Sequence, residues 1–153
     1  YNCPGQLVIG GEAEAVTKAS ELALEKGARR AIPLNTSGPF HTELLAPASN
    51  ELKEKFVSVN FNEMQVPVIF NSSAKELESG VSIAQMLEKQ VMSSVYFEDS
   101  IRYMLENGVD TIIEIGPGKV LSGFIRKIDK TIKTYQVEDQ ASLEKTLMGL
   151  KGE

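Results

Sequence analysis

The sequence predicts an α/β fold with parallel strands, and three observations carry that expectation. Short apolar runs of β type alternate with amphipathic helical segments along most of the chain. The run Thr111-Ile112-Ile113-Glu114-Ile115 passes through Gly116-Pro117-Gly118 straight into a helical pattern. The opening segment, up to about Leu34, reads as one β-α-β unit with no obvious partner strands.

Taken in order, Gln6-Leu7-Val8-Ile9 is strand-like and ends at Gly10-Gly11. Glu12 through Lys26 predicts a helix, with Ala15, Ala19, Leu22 and Ala23 at helical spacing and Glu12 and Glu14 at the positive dipole end. Gly27 is the stop. Ala31-Ile32-Pro33-Leu34 follows as a strand at an edge or strand end, because proline cannot donate to a ladder. Leu44, Leu45, Ala48, Leu52 and Phe56 mark a second helix, whose regular part begins near Pro47. Val66-Pro67-Val68-Ile69-Phe70 reads as a buried strand, and the polar stretch from Asn71 to Gly80 as a loop. Ile83, Met86, Leu87 and Val91 suggest a helix, broken at Ser93-Ser94. Phe97 to Asn107 is the next, with Ile101, Met104 and Leu105 inward and Gly108 as its end. Thr111–Ile115 is the best strand pattern. The helix after it buries Val120, Leu121, Phe124, Ile125 and Ile128. Thr134–Val137 is a last strand, and Ser142-Leu143-Glu144-Lys145 opens a terminal helix.

The 153 residues suffice for one ordinary domain with a real core. Hydrophobic residues at 42% and charged residues at 24% are those of a soluble globular protein. The net charge of −5 argues against a general nucleic-acid binder, which needs clustered positive charge. Cys3 is the single cysteine, so neither an internal disulfide nor a multi-thiolate zinc site is expected, and no metal is. No apolar run is long enough for a bilayer and no signal-peptide pattern opens the chain. The first residue is Tyr1, which reads as the start of a truncated or processed chain.

The chemistry centres on His41, the chain's only histidine and only side chain with an ordinary pKa near neutrality. It follows the turn Thr36-Ser37-Gly38-Pro39-Phe40 and precedes a helix, whose positive end would keep the ring neutral. Set against this is the plainer expectation of a surface or capping histidine, and the two weigh about equally on the residues alone. No G-x-S-x-G is present, so the chain has a candidate base without a nucleophile. Cys3 is a poor substitute, since nothing beside it lowers a thiol pKa. The turn Glu114-Ile115-Gly116-Pro117-Gly118-Lys119 sits where parallel sheets bind ligands, and its helix-start amides could hold an anion. Its glycines are equally expected from turn geometry alone. Lys119, Arg126, Lys127, Lys130 and Lys133 form a basic cluster, with Arg29-Arg30 as a second pair; such charges are usually a solvated face, but they could also receive an acidic partner.

Three segments carry a resemblance: Asn2-Cys3-Pro4-Gly5-Gln6-Leu7-Val8-Ile9-Gly10-Gly11, Ser37-Gly38-Pro39-Phe40-His41, and Glu114-Ile115-Gly116-Pro117-Gly118-Lys119-Val120-Leu121. In this order and spacing they resemble malonyl-CoA:acyl-carrier-protein transacylases and the acyltransferase domains of polyketide and fatty-acid synthases. The resemblance runs from Tyr1 to about Gln136 and points to the C-terminal half of such an enzyme. It implies the C-terminal part of an α/β-hydrolase-like large domain with parallel strands over 37–153. Residues 1–36 would be half (β-α-β) of a ferredoxin-like small subdomain. It implies a cytoplasmic enzyme of fatty-acid biosynthesis using a Ser-His mechanism, with no bound cofactor. Its substrates are malonyl-CoA, a coenzyme A thioester, and phosphopantetheinylated acyl carrier protein.

Under that resemblance His41 is the catalytic base, oriented by a backbone carbonyl near Val95-Tyr96-Phe97. Asn2, Phe40 and Tyr96 fall on the substrate side, with Phe40 as in malonyl-selective members. The serine, a carboxylate-binding arginine and an oxyanion-hole glutamine would lie upstream of Tyr1, in a missing N-terminal half, so the isolated fragment is expected to be inactive. Besides an acyltransferase domain of a polyketide synthase, two alternatives stay open. One is a non-catalytic module binding acyl carrier protein or coenzyme A through the basic helix around Arg126 and Lys127. The other is a different α/β hydrolase or transferase that shares only the turn motifs.

Overall fold

The computed structural model describes residues 1–152. It is an α/β structure with a two-stranded parallel sheet, and its chain divides into two compact units. One unit joins Tyr1–Leu7 to the chain from Tyr96 onward; the other is Val8–Val95. The division expected near residue 36 falls inside the second of these.

In the Val8–Val95 unit, helix α1 spans Ala13–Glu25 and stops where Gly27 takes φ 95°, a conformation that favours glycine. A 3₁₀ turn over Glu43–Leu45 leads into α2, Ala46–Phe56, with Pro47 in its first turn as its missing N–H allows. Helix α3 spans Ile83–Val91. A full capping box starts it: the Gln85 amide donates to the Ser82 hydroxyl at 3.2 Å, and the Ser82 amide donates to the Gln85 side chain at 2.8 Å. Met86, Phe70 and Ala74 are buried here, and Phe56 meets Phe61 edge-on at 5.4 Å.

Three strands expected in or bordering this unit do not form. Gln6–Ile9, Ala31–Leu34 and Val66–Phe70 carry β-type sequence, yet no ladder joins them; Gln6 bridges only to Cys3, and Phe70 only to Lys75. A strand is stabilised by its neighbours, and these segments lack them among the described residues. Their apolar side chains are correspondingly open: Leu7 is 58% exposed, Ile32 62% and Val66 67%.

The other unit builds its core where helices meet the sheet. Helix α4 is Phe97–Glu106 and ends where Gly108 adopts φ 86°. Strand β1 is Thr111–Ile115, α5 is Val120–Ile128, β2 is Lys133–Val137 and α6 is Gln140–Lys151. Strands β1 and β2 pair in parallel with Thr111 opposite Lys133 and Ile115 opposite Val137, and α5 is the crossover. Ile101, Ile125 and Ile132 form the buried cluster, flanked by Phe97, Met104, Leu105, Ile112 and Ile128. Burying Ile101 and Ile125 fully contributes on the order of 2 kcal/mol each. Helix α6 begins two residues before the expected Ser142, because Asp139 is its N-cap: the Asp139 carboxylate accepts from the Ser142 amide at 2.8 Å. Among the described residues no helix is long and apolar enough to cross a membrane.

Candidate functional site around His41

The turn before His41 is closed by local hydrogen bonds. The Thr36 hydroxyl donates to the Gly38 carbonyl at 3.3 Å, and the Thr42 hydroxyl to the Pro39 carbonyl at 2.7 Å. Gly10 packs so tightly here that a Cβ would stand 3.0 Å from the Thr42 methyl. His41 itself has φ 63°, the left-handed region that a non-glycine residue adopts at a cost. Such strain persists where surrounding contacts hold it, and functional side chains are a common reason.

The imidazole of His41 is exposed, but one of its nitrogens is held. Nδ1 lies 3.2 Å from the backbone carbonyl oxygen of Gln90, in the last turn of α3. A carbonyl only accepts, so Nδ1 carries the proton and Nε2 presents its lone pair. Nε2 makes no hydrogen bond among the described residues. This is the tautomer a general base needs.

One expectation is corrected by this geometry. The orienting carbonyl belongs to Gln90, not to the Val95–Phe97 stretch. The Tyr96 carbonyl is used within its own helix, accepting from the Ser100 amide at 2.9 Å and the Ser100 hydroxyl at 2.8 Å. His41 precedes the start of the helix that follows it, as expected, and the ring also meets a second helix end. Its held nitrogen meets the carbonyl, partially negative end of α3, which faces the positive charge that develops as Nε2 gains a proton. Sequence reasoning missed Gln90 because a backbone acceptor leaves no mark in side-chain identity.

Phe40, next to His41, is 56% exposed and free to meet a ligand. Asn2 and Tyr96 lie in the other unit. The Asn2 amide donates to the Gln6 carbonyl at 3.2 Å, and Tyr96 stacks on Tyr1 with ring centroids 5.2 Å apart and planes 9° apart. The Tyr1 carbonyl accepts from the Phe97 and Glu98 amides, satisfying the start of α4. Cys3 is buried at 3% exposure and its thiol donates to the Gln6 side chain at 3.6 Å, so it offers no accessible nucleophile. Arg126 and Lys127 are exposed on α5, with Arg126 Nε donating to the Thr134 hydroxyl at 3.2 Å.

The glycine turn is filled from within. The Glu114 carboxylate accepts from the Leu121 amide at 3.1 Å, the Ser122 amide at 2.8 Å and the Ser122 hydroxyl at 2.6 Å. The Glu138 carboxylate accepts from the Gly118 amide at 2.8 Å. Burial raises the Glu114 pKa somewhat, but the Ser122 hydroxyl, the Ser122 amide and the Leu121 amide outweigh it, and the net result lies below the usual carboxylate value. Three amides that could have held a ligand anion, those of Gly118, Leu121 and Ser122, are therefore already paired with the chain's own carboxylates. The plainer expectation for this turn, glycine for geometry, is the one the hydrogen bonds favour: Gly116 has φ 139° and Gly118 φ 82°.

No family model matches the chain. Individual proteins do. A malonyl CoA-acyl carrier protein transacylase of Bacillus subtilis (strain 168) is 49% identical over 152 residues, covering 99% of this chain and 48% of that protein. The crystal structure of malonyl CoA-acyl carrier protein transacylase from Clostridium perfringens superposes with TM-score 0.95 at 44% identity, over 99% of this chain and 48% of that one. A structure of a type II PKS acyl-carrier protein in complex with its malonyl-transacylase matches with TM-score 0.84 at 34% identity, over 94% of this chain and 45% of that one. The chain thus spans about half the length of the curated relatives it matches. By sequence and by fold the chain is similar to about half the length of malonyl CoA-acyl carrier protein transacylases.

Proposed function

We propose that these residues are the C-terminal half of an acyltransferase that moves a malonyl group from malonyl-CoA to the phosphopantetheine thiol of acyl carrier protein. The observation that carries the reading is the His41 ring, tethered through Nδ1 to the Gln90 carbonyl with Nε2 left open. Nε2 takes the proton of a serine hydroxyl supplied by the rest of the protein as its oxygen attacks the thioester carbon. The carbon–sulfur bond then breaks, and the coenzyme A sulfur leaves with that proton. In the second half Nε2 takes the proton of the pantetheine thiol, whose sulfur attacks the acyl-serine, and the serine oxygen recovers a proton from the imidazolium. The carbonyl of Gln90 does the orienting that a carboxylate does in other triads.

The same proposal assigns 37–153 to an α/β-hydrolase-like domain and 1–36 to half of a ferredoxin-like subdomain, in a cytoplasmic enzyme. Support comes from the unpaired β-type segments: Leu7, Ile32 and Val66 are open, as they would be in segments whose flanking strands lie elsewhere in a larger domain. For Asn2 and Tyr96 a substrate role rests on the family resemblance alone.

The test is transfer by the chain completed to the relatives' length, with malonyl-CoA and a carrier protein as substrates. Transfer is expected. Salt-sensitive carrier binding without any transfer would favour the non-catalytic binding module instead.

Two further results are expected in that assay. Phe40 beside the base restricts the room for an α-methyl group, so Phe40→Ser should raise the methylmalonyl-to-malonyl ratio of kcat/KM by roughly tenfold or more, the usual worth of one methyl group in a pocket. An unchanged ratio removes Phe40 from selectivity. Arg126 and Lys127 form an exposed basic pair, suited by charge to an acidic partner such as a carrier protein. Reversing both to glutamate should raise KM for the carrier about tenfold at low salt, with the gap closing as salt screens the charges. KM for malonyl-CoA should stay put; a loss that ignores salt would place carrier docking elsewhere.

A further inference from the structure

The carbonyl end of α3 is held twice by the segment that carries His41. Its last turn tightens: the Met92 amide donates to the Lys89 carbonyl at 3.3 Å and the Ser93 amide to the Gln90 carbonyl at 3.4 Å. That tightening leaves the Glu88 carbonyl without the amide that a regular helix would bring to it. The Ser49 hydroxyl, on α2, donates to Glu88 at 2.9 Å. Ser49 is buried, at 8% exposure, and α2 packs along α3. Two residues further along α3, the Gln90 carbonyl accepts from His41 Nδ1.

We infer that Ser49 is a positioning residue for His41. Its hydroxyl fixes the final turn of α3 against α2, and so sets where the Gln90 carbonyl stands relative to the imidazole. Three features make this more than a buried serine with a partner. The acceptor is an orphan carbonyl of the same helical turn that orients the ring. The donor comes from the helix that follows the His41 loop, with Pro47 in its first turn. Among the described residues the ring is tethered by one 3.2 Å bond to a carbonyl, which is sensitive to small shifts of that carbonyl. Without Ser49 the last turn of α3 loses its lateral anchor, and His41 at φ 63° has little else to hold its ring.

This inference rests on His41 being the base, but its first test does not need turnover. His41 is the chain's single histidine, so its ring nitrogens give one unambiguous set of NMR signals. At about pH 9, where an ordinary imidazole is neutral, the intact chain should show the Nδ1–H tautomer imposed by the Gln90 carbonyl. Ser49→Ala should move the population toward the Nε2–H form that an untethered imidazole prefers. Ser49→Thr, which keeps the hydroxyl, should restore it. Ser49→Cys, nearly isosteric with a much weaker donor, repeats the test if the alanine variant does not fold. A tautomer population unmoved in the alanine or cysteine variant overturns the inference, whatever happens to thermal stability.

In the completed enzyme Ser49→Ala should lower kcat roughly ten- to a hundredfold, as expected for a misplaced catalytic group, with KM for malonyl-CoA unchanged and activity recovered by Ser49→Thr. A rise in KM with kcat intact would also overturn it. Failure of the catalytic reading looks different: the tautomer responds to Ser49, while transfer survives His41→Ala.

Discussion

Under the proposed function, His41→Ala should abolish transfer almost entirely in the chain completed to the relatives' length. Removing the base of a serine–histidine pair costs three to six orders of magnitude in kcat/KM, about 4–8 kcal/mol of transition-state stabilisation. Binding of malonyl-CoA should change little, because the role proposed for the ring is proton transfer. The fold should survive, since His41 is exposed and its one side-chain bond is to a carbonyl. The backbone supplies an internal control. At φ 63° a Cβ is unfavourable and glycine is not, so His41→Gly should be more stable than His41→Ala by about 1 kcal/mol while being just as inactive. Turnover and urea midpoints of the two variants check this. Near-normal transfer by either one would remove His41 from the reaction, and with it the proposed function.

Glu114→Ala should be clearly destabilising at the crossover between the two strands. The side chain ends β1 and turns back onto the first amides of α5, accepting three hydrogen bonds from Leu121 and Ser122. A carboxylate there also faces the positive end of the helix dipole. Losing it leaves two helix-start amides unpaired at the crossover between the two strands. Glu114 is only half-buried, so water screens part of the charge, and the expected loss is about 2 kcal/mol in urea unfolding.

Its pH dependence follows from the lowered pKa. In the unfolded chain the group titrates at its ordinary value of 4.5, and in the folded chain it titrates lower. Between those values the unfolded state binds more protons, so stability rises with pH. The Glu114 contribution is therefore complete above about 4.5 and is lost as pH falls through the folded value. Asp129 and Asp139 are lowered too, by hydrogen bonds from Thr131 and Ser142, and act in the same direction. The informative quantity is thus the difference between the unmodified chain and Glu114→Gln, which should shrink on acidification. A difference that stays constant from neutral pH into acid would mean the carboxylate's charge plays no part in the cap.

Local elements were legible because their causes are local. Gly27 and Gly108 stop their helices by adopting positive φ, and Pro47 marks the first turn of α2, all within one turn of the residues that signal them. The strand Thr111–Ile115 was legible too, and it formed because Lys133–Val137 is present to pair with it. Gln6–Ile9, Ala31–Leu34 and Val66–Phe70 have the same β character and stayed unpaired. Alternating apolar residues state a preference for a sheet, while a ladder also requires a second strand at hydrogen-bonding distance. Around the candidate site the histidine and its tight turn were visible in the residues. The Gln90 carbonyl was not, nor was the Ser49 anchor, because neither acceptor carbonyl depends on the side chain attached to it.

Alone, the sequence determined where the helices lie, that His41 is the one imidazole available, and which set of enzymes the ordered motifs resemble. Tertiary structure decided which partner each polar group meets. His41 finds a carbonyl 49 residues away, and Gly118 finds a carboxylate 20 residues away. Helical periodicity and caps act over three or four residues and are written in the chain as neighbours. A hydrogen bond across such distances exists only after packing has brought two segments together, so the carbonyl that orients His41 and the carboxylates that fill the glycine turn were settled by the fold.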